Sequence, residues 1–213
     1  MITSVPWLLL VDDHPIVRQG LAAVITKALP RAKVAEVGTA KDAMAQFDVT
    51  DFTLVVLDLG LPDRDGLEVL MDMKKQKPQC PVLVLSIHAE DQYAIRAIRA
   101  GASGYLAKDR APEELVAAIT RVMEGGRYVT ASLAERLLTS LEHPEQADLH
   151  QSLSHREFQV LKLMASGKSL TDIGDELHIN PKTVSTYRFR LLEKLRLKTT
   201  ADLVRYALEH HVV

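Results

Sequence analysis

The strongest constraint on this chain is an alternation in its first 124 residues. Five short runs rich in β-branched and other apolar residues, at 7–11, 33–37, 53–57, 82–85 and 104–106, are separated by longer stretches with helical spacing. Val17, Leu21, Val24 and Ala28 form one helical stripe, and Leu67, Leu70 and Met73 another. Leu115, Ala118, Ile119 and Val122 mark a fifth helix. Strands that alternate with helices in this way imply an α/β, five-stranded parallel sheet covered on both faces, and 2-1-3-4-5 is a common doubly wound order for such a sheet and the one expected here. Gly125-Gly126 punctuates the end of the block.

The remainder reads differently. Residues 127–152 form a linker with a short helix at 131–141, and the stretch 142–152, rich in Pro, Gln, His and Asp, reads as exposed. From 153 to 213 the pattern is a small all-α domain. Ser154 with Glu157 is a capping box, Ser169 with Asp172 and Thr199 with Asp202 start further helices, and Asn180-Pro181 is a cap followed by proline. The expected domains are therefore 1–126, 127–152 and 153–213. Charge follows the same division. Residues 1–151 hold 16 Lys+Arg against 21 Asp+Glu, whereas residues 152–213 hold 10 against 7. An acidic front and a basic tail imply different partners.

Composition removes several classes. With 47% hydrophobic and 25% charged residues the chain is neither disordered nor fibrous. A single cysteine, Cys80 before Pro81, rules out an internal disulfide framework and a cysteine-rich zinc site, and reads as a small half-buried residue. The apolar run at 7–11 is too short for a signal peptide or a membrane span, so a soluble, reducing, cytoplasmic setting is expected.

Asp12 and Asp13 follow the first strand and Asp58 follows the third. In this strand order these two strands are neighbours where the winding reverses, so their carboxyl ends line one crevice. Three carboxylates brought together repel, and a hard cation such as Mg²⁺ relieves that repulsion. Ser86 closes the fourth strand and Lys108 follows the fifth. An ionised carboxylate nucleophile beside a cation suits phosphoryl transfer onto an aspartate. His14, beside Pro15 at a helix start, reads as structural rather than as a ligand.

In the basic tail, a helical wheel centred on Val184 places Tyr187, Leu191 and Leu195 on one apolar stripe. Lys182, Ser185, Thr186, Phe189, Arg190 and Glu193 fall on the opposite side. Residues 181–198 hold six Lys+Arg against one acid. With the short helix at 170–177 and a tight turn at 178–181, this is a helix-turn-helix whose second member reads a major groove. Ser185, Thr186 and Phe189 are candidates for base edges. Lys182, Arg188, Arg190 and Lys194 are candidates for phosphates. One such helix calls for a homodimer on paired half-sites of double-stranded DNA. Leu203, Tyr206 and His210 on the last helix serve either an interface or an intramolecular core.

Two resemblances cover nearly the whole chain. Leu-Val-Asp-Asp-His at 10–14, Asp-Leu-Gly-Leu-Pro-Asp-Arg-Asp-Gly at 58–66, Ser86 and Gly-Tyr-Leu-Ala-Lys at 104–108 make residues 7–124 resemble a response-regulator receiver domain. That resemblance implies Asp58 as phosphoacceptor, and Asp12, Asp13, Asp58 and the Leu59 backbone carbonyl as Mg²⁺ ligands. It also implies Lys108 and Ser86 as phosphoryl-binding groups, and Tyr105 as an aromatic that changes rotamer as Ser86 moves. Ile87 and Asp109 depart from residues often found there, and Gly60 and His88 occupy positions that influence phosphoryl lifetime. Leu-Ser-His-Arg-Glu-Phe-Gln-Val-Leu at 153–161 and Ile-Asn-Pro-Lys-Thr-Val-Ser-Thr-Tyr at 179–187 make residues 153–207 resemble a LuxR/FixJ-type DNA-binding domain. There Gly174 replaces a usual alanine, at ~1 kcal/mol of helix stability. Together these make the chain similar to NarL/FixJ-type response regulators. The implication is a two-component transcription regulator rather than an enzyme, partnered by a sensor histidine kinase and DNA, with RNA polymerase a compatible further contact. A Mg²⁺-dependent phosphatase is the competing enzyme reading, but it usually needs an Asp-x-Asp after one strand where this chain has adjacent Asp12-Asp13.

Overall fold

The computed structural model describes residues 5–86, 92–142, 149–210 and 212, which belong to two compact units, Met1–Glu142 and His143–Val213. In the first unit the strands are β1 (Trp7–Val11), β2 (Lys33–Val37), β3 (Leu54–Asp58), β4 (Val82–Ser86) and β5 (Gly104–Ala107). They pair in parallel in the order β2-β1-β3-β4-β5. Between and after them run α1 (Pro15–Ala28), α2 (Ala40–Val49), α3 (Gly66–Gln76), α4 (Gln92–Arg99) and α5 (Ala111–Met123). The strands read as continuous apolar runs because both faces are covered, and successive side chains alternate between them. Leu8, Leu10, Val56, Leu83 and Leu106 join a core with residues of α1 and α5. Leu9, Val11, Leu57, Val84 and Tyr105 join the other, with residues of α2, α3 and α4.

The chain beyond α5 stays with this unit. Tyr105 N–H donates to the Tyr128 carbonyl at 3.0 Å and Tyr128 N–H to the Ser103 carbonyl at 3.1 Å, which pairs the outer edge of β5. Gly104 permits that approach, since a Cβ there would stand 2.8 Å from the Tyr128 carbonyl oxygen. Helix α6 (Ala131–Glu142) follows, and its Leu133 is fully buried in the same core as Tyr105. The stretch 127–152 is thus shared: α6 lies on the first unit, and a 3₁₀ turn at Leu149–Ser152 lies in the second. Residues 143–148, the middle of the expected linker, lie outside the described residues. The end of that stretch is not exposed throughout as its composition suggests. His150 is fully buried, its Nδ1 is 3.1 Å from the Tyr206 hydroxyl, and its ring stacks on Phe158. Partners from distant sequence bury a histidine that lies in a largely polar stretch.

The second unit contains α7 (His155–Ala165), α8 (Leu170–Glu176), α9 (Pro181–Lys194) and α10 (Thr200–Glu209). Capping boxes form at Ser154/Glu157, Ser169/Asp172 and Thr199/Asp202, and the Asn180 side chain accepts from Lys182 N–H. Phe158, Leu161, Ile173, Val184, Leu191 and Leu203 are fully buried or nearly so. Tyr206 is 9% exposed and Leu203 0%, so both serve their own unit's core. Gly174 is more than a helix-propensity cost. A Cβ there would meet the Ile179 carbonyl oxygen at 2.7 Å, so the glycine lets the turn at His178, with φ of 54°, fold close onto α8.

Candidate functional site

The parallel register brings the strand ends level. Val11 pairs with Leu57, Asp58 with Leu85 and Ser86 with Ala107, so the residues that end or follow these strands share one crevice. Lys108 Nζ lies 2.7 Å from Asp58 Oδ2 and 2.7 Å from Asp12 Oδ2. Asp58 Oδ1 accepts the Gly60 N–H at 3.1 Å. Burial pushes the Asp58 carboxyl above the usual carboxylate range, against the opposing pull of the Lys108 ammonium. Burial pulls Lys108 down, but Asp58 and Asp12 together outweigh it and its pKa is raised. Ser86 and Tyr105 are buried at the ends of β4 and within β5. Asp13 stands at the rim, with His14 Nδ1 2.6 Å from its Oδ1.

In the second unit, α9 buries Val184 and Leu191 and leaves Lys182, Thr186, Arg190 and Phe189 exposed, the last at 60%. Ser185 is half-buried. Two of the cations expected on phosphates are held inside the unit. Arg188 Nη1 donates to Thr200 Oγ1 at 3.2 Å, and Lys194 Nζ is 2.7 Å from Glu157 Oε2.

The profile of the family described as response regulator receiver domain matches residues 8–120, and that of bacterial regulatory proteins, luxR family, matches residues 151–207. The chain is a NarL/FixJ-type response regulator. It is 32% identical to response regulator UvrY of Escherichia coli K12 over 203 residues, which cover 95% of this chain and 93% of that protein. It is 37% identical to transcriptional activator protein ExaE of Pseudomonas putida over 95% of each chain. A two-component response regulator of the LuxR family from Aurantimonas sp. SI85-9A1 matches with a TM-score of 0.59 and 33% identity, covering 65% of this chain and 99% of that one. RcsB from Salmonella enterica serovar Typhimurium, solved with promoter rprA and the phosphomimetic BeF3⁻, matches with a TM-score of 0.60 over 95% and 98% at 23% identity, a likeness of fold. The family is one of DNA-binding transcriptional regulators, not enzymes.

The receiver of this response regulator has the donor set of a hard-cation site. Ligand atoms of Asp12, Asp13, His14 and Asp58 all lie within 4.8 Å of one another. Asp12 Oδ2 and Asp13 Oδ1 are buried, the first facing Lys108 Nζ at 2.7 Å and the second His14 Nδ1 at 2.6 Å. Three carboxylates against one ammonium leave an excess of negative charge that a divalent cation fits. The Leu59 carbonyl accepts the Gly66 N–H at 3.2 Å, which ties it to the loop and leaves its second lone pair for a cation. Ile87 and His88 lie outside the described residues.

Three supports of the pocket escaped the sequence reading. Gly66 lets the loop after β3 return over the site, because a Cβ would stand 2.5 Å from Leu59 Cα and 2.6 Å from the Asp58 carbonyl oxygen. The Asp-Gly pair was the available signal. Asp63 accepts the N–H groups of Ala40 and Lys41 at the start of α2, and Arg18 donates to the Asp12 carbonyl. Neither leaves a local sequence signature.

Proposed function

We propose that Asp58 accepts a phosphoryl group from the phosphohistidine of a sensor histidine kinase, and that the modified chain binds DNA through α9. The observation that carries this reading is the meeting of Lys108 with both Asp58 and Asp12 at the carboxyl edge of the sheet. An Asp58 oxygen attacks phosphorus in line, the P–N bond breaks, and the imidazole leaves with the electron pair. Asp58 needs no general base, since the carboxylate is already the nucleophile. Asp12, Asp13, Asp58 and the Leu59 backbone carbonyl would hold Mg²⁺, which would neutralise charge on the transferring group. Lys108 then turns from a carboxylate partner to a phosphoryl partner, and Ser86 donates its hydroxyl to a phosphoryl oxygen.

Tyr105 is the next link. Its backbone is bonded to Tyr128 and its ring shares a core with Leu133, so a change at Tyr105 acts directly on α6, the helix from which the chain continues to the second unit. Ser185, Thr186 and Phe189 meet base edges, while Lys182 and Arg190 meet phosphates. The response regulator binds as a homodimer on paired half-sites, since one helix reads too few base pairs. Among the described residues no helix is long and apolar enough to cross a membrane. Selection of DNA sites from a random pool, with and without acetyl phosphate, tests this reading. It expects a defined sequence whose affinity changes on phosphorylation. Enrichment of no sequence, or affinity blind to phosphorylation in wild type, refutes it.

A further inference from the structure

Glu157 is 2% exposed, yet it is a carboxylate. Its Oε2 accepts the Ser154 N–H at 2.7 Å and meets Lys194 Nζ at 2.7 Å. The first contact closes the capping box of α7. The second reaches the last residue of α9, 37 positions later in the chain. A carboxylate so buried requires a cation, and Lys194 supplies it. The lysine side chain itself is 42% exposed, so the pair sits where the protein interior meets solvent.

Two roles compete for this ammonium. If Lys194 turned to a DNA phosphate, Glu157 would remain buried with only the Ser154 N–H for compensation. Breaking a buried pair costs more than an exposed charge contact returns. Lys194 closes the last turn of α9, away from the N-terminal residues with which a recognition helix contacts base edges. On the wheel it lies about 80° from the Val184 stripe, where a tether to α7 resists rolling of the helix about its own axis.

We propose that Lys194 is a positioning residue: paired with Glu157, it fixes the angle at which α9 presents Ser185, Thr186 and Phe189, and it touches no phosphate. Arg188, bonded to Thr200 Oγ1 at the start of α10, braces a second side of the same helix. The proposal rests on the DNA-binding reading, and the two fail separately. Wild-type binding to duplex DNA tests that reading, and the variants test this one.

The experiment uses the full chain and two duplexes: one of mixed, unselected sequence, and one enriched from a random pool by the wild type. Affinity is measured for each between about 50 and 200 mM KCl. Lys194→Met is expected to lower the selected-to-unselected affinity ratio about tenfold with the salt slope unchanged, and Lys194→Arg to restore the ratio. Glu157→Gln keeps a capping acceptor but loses the charge, and should match Lys194→Met. The double variant should be no worse than either single one. A slope shallower by about 0.9, the signature of one lost phosphate contact, overturns the proposal, as does an unchanged ratio or additive losses. Should Lys194→Met fail to fold, Glu157→Gln decides: a lower ratio supports the pair, and an equal or higher one overturns it.

Discussion

The ammonium of Lys108 stands 2.7 Å from Oδ2 of Asp58, fifty residues earlier in the chain, with the lysine side chain 11% exposed and the aspartate 5%. At that burial the pair is not a surface contact, and neither partner can be removed at surface prices. Lys108→Met leaves Asp12 and Asp58 facing one another without a cation. The variant is expected to lose about 3–5 kcal/mol in urea unfolding without Mg²⁺, and to recover part of it in millimolar Mg²⁺. A loss below about 1 kcal/mol in both conditions would show that the lysine does not compensate the carboxylates.

Gly66→Ala tests the loop over the pocket. A methyl at this position overlaps Leu59 Cα and two carbonyl oxygens, all backbone atoms with little room to move. We expect destabilisation of about 1–3 kcal/mol, together with weaker Mg²⁺ binding, because Asp58 itself is displaced. Unaltered stability and Mg²⁺ affinity would mean that the loop is free to lift.

Leu133 measures how firmly α6 belongs to the first unit. Its side chain is fully buried beside the Tyr105 core, so Leu133→Ala should cost about 2–5 kcal/mol in a fragment of residues 1–142. A fragment ending at residue 126 loses both this packing and the hydrogen bonds along β5, and should melt below the longer one. Equal melting temperatures would reduce α6 to a passive connection.

The Cys80 thiol is pushed up to about 11 by burial, against a smaller pull from Lys74. The sign is towards the neutral thiol, so at pH 8 thiolate is about a hundredfold scarcer than for an ordinary cysteine. Thiol reagents should therefore label the native chain slowly and the urea-unfolded chain at the usual rate. Fast labelling of the native form at pH 8 would contradict this.

Which parts were legible in the sequence follows from how local their causes are. Asp12, Asp58, Ser86 and Lys108 could be placed because each sits where an apolar strand run stops, and parallel register makes those stops level. The capping boxes at Ser154, Ser169 and Thr199 were legible because three residues contain the whole interaction. The allegiance of α6 was not, since the partners of Leu133 are brought near only by the sheet. The pairing of Lys194 with Glu157 was hidden for the same reason: a wheel records the face of a helix, and Glu157 lies on another helix. Gly174 shows the same limit on the scale of single backbone atoms.

The central claim is that Asp58 is the acceptor. Wild type and Asp58→Asn are incubated with radiolabelled acetyl phosphate and Mg²⁺, and acid-stable, hydroxylamine-labile phosphate is counted per chain. The account predicts incorporation approaching one phosphoryl group per wild-type chain, abolished by chelating Mg²⁺ and absent from Asp58→Asn. Asp58→Asn labelled to the wild-type stoichiometry would contradict it.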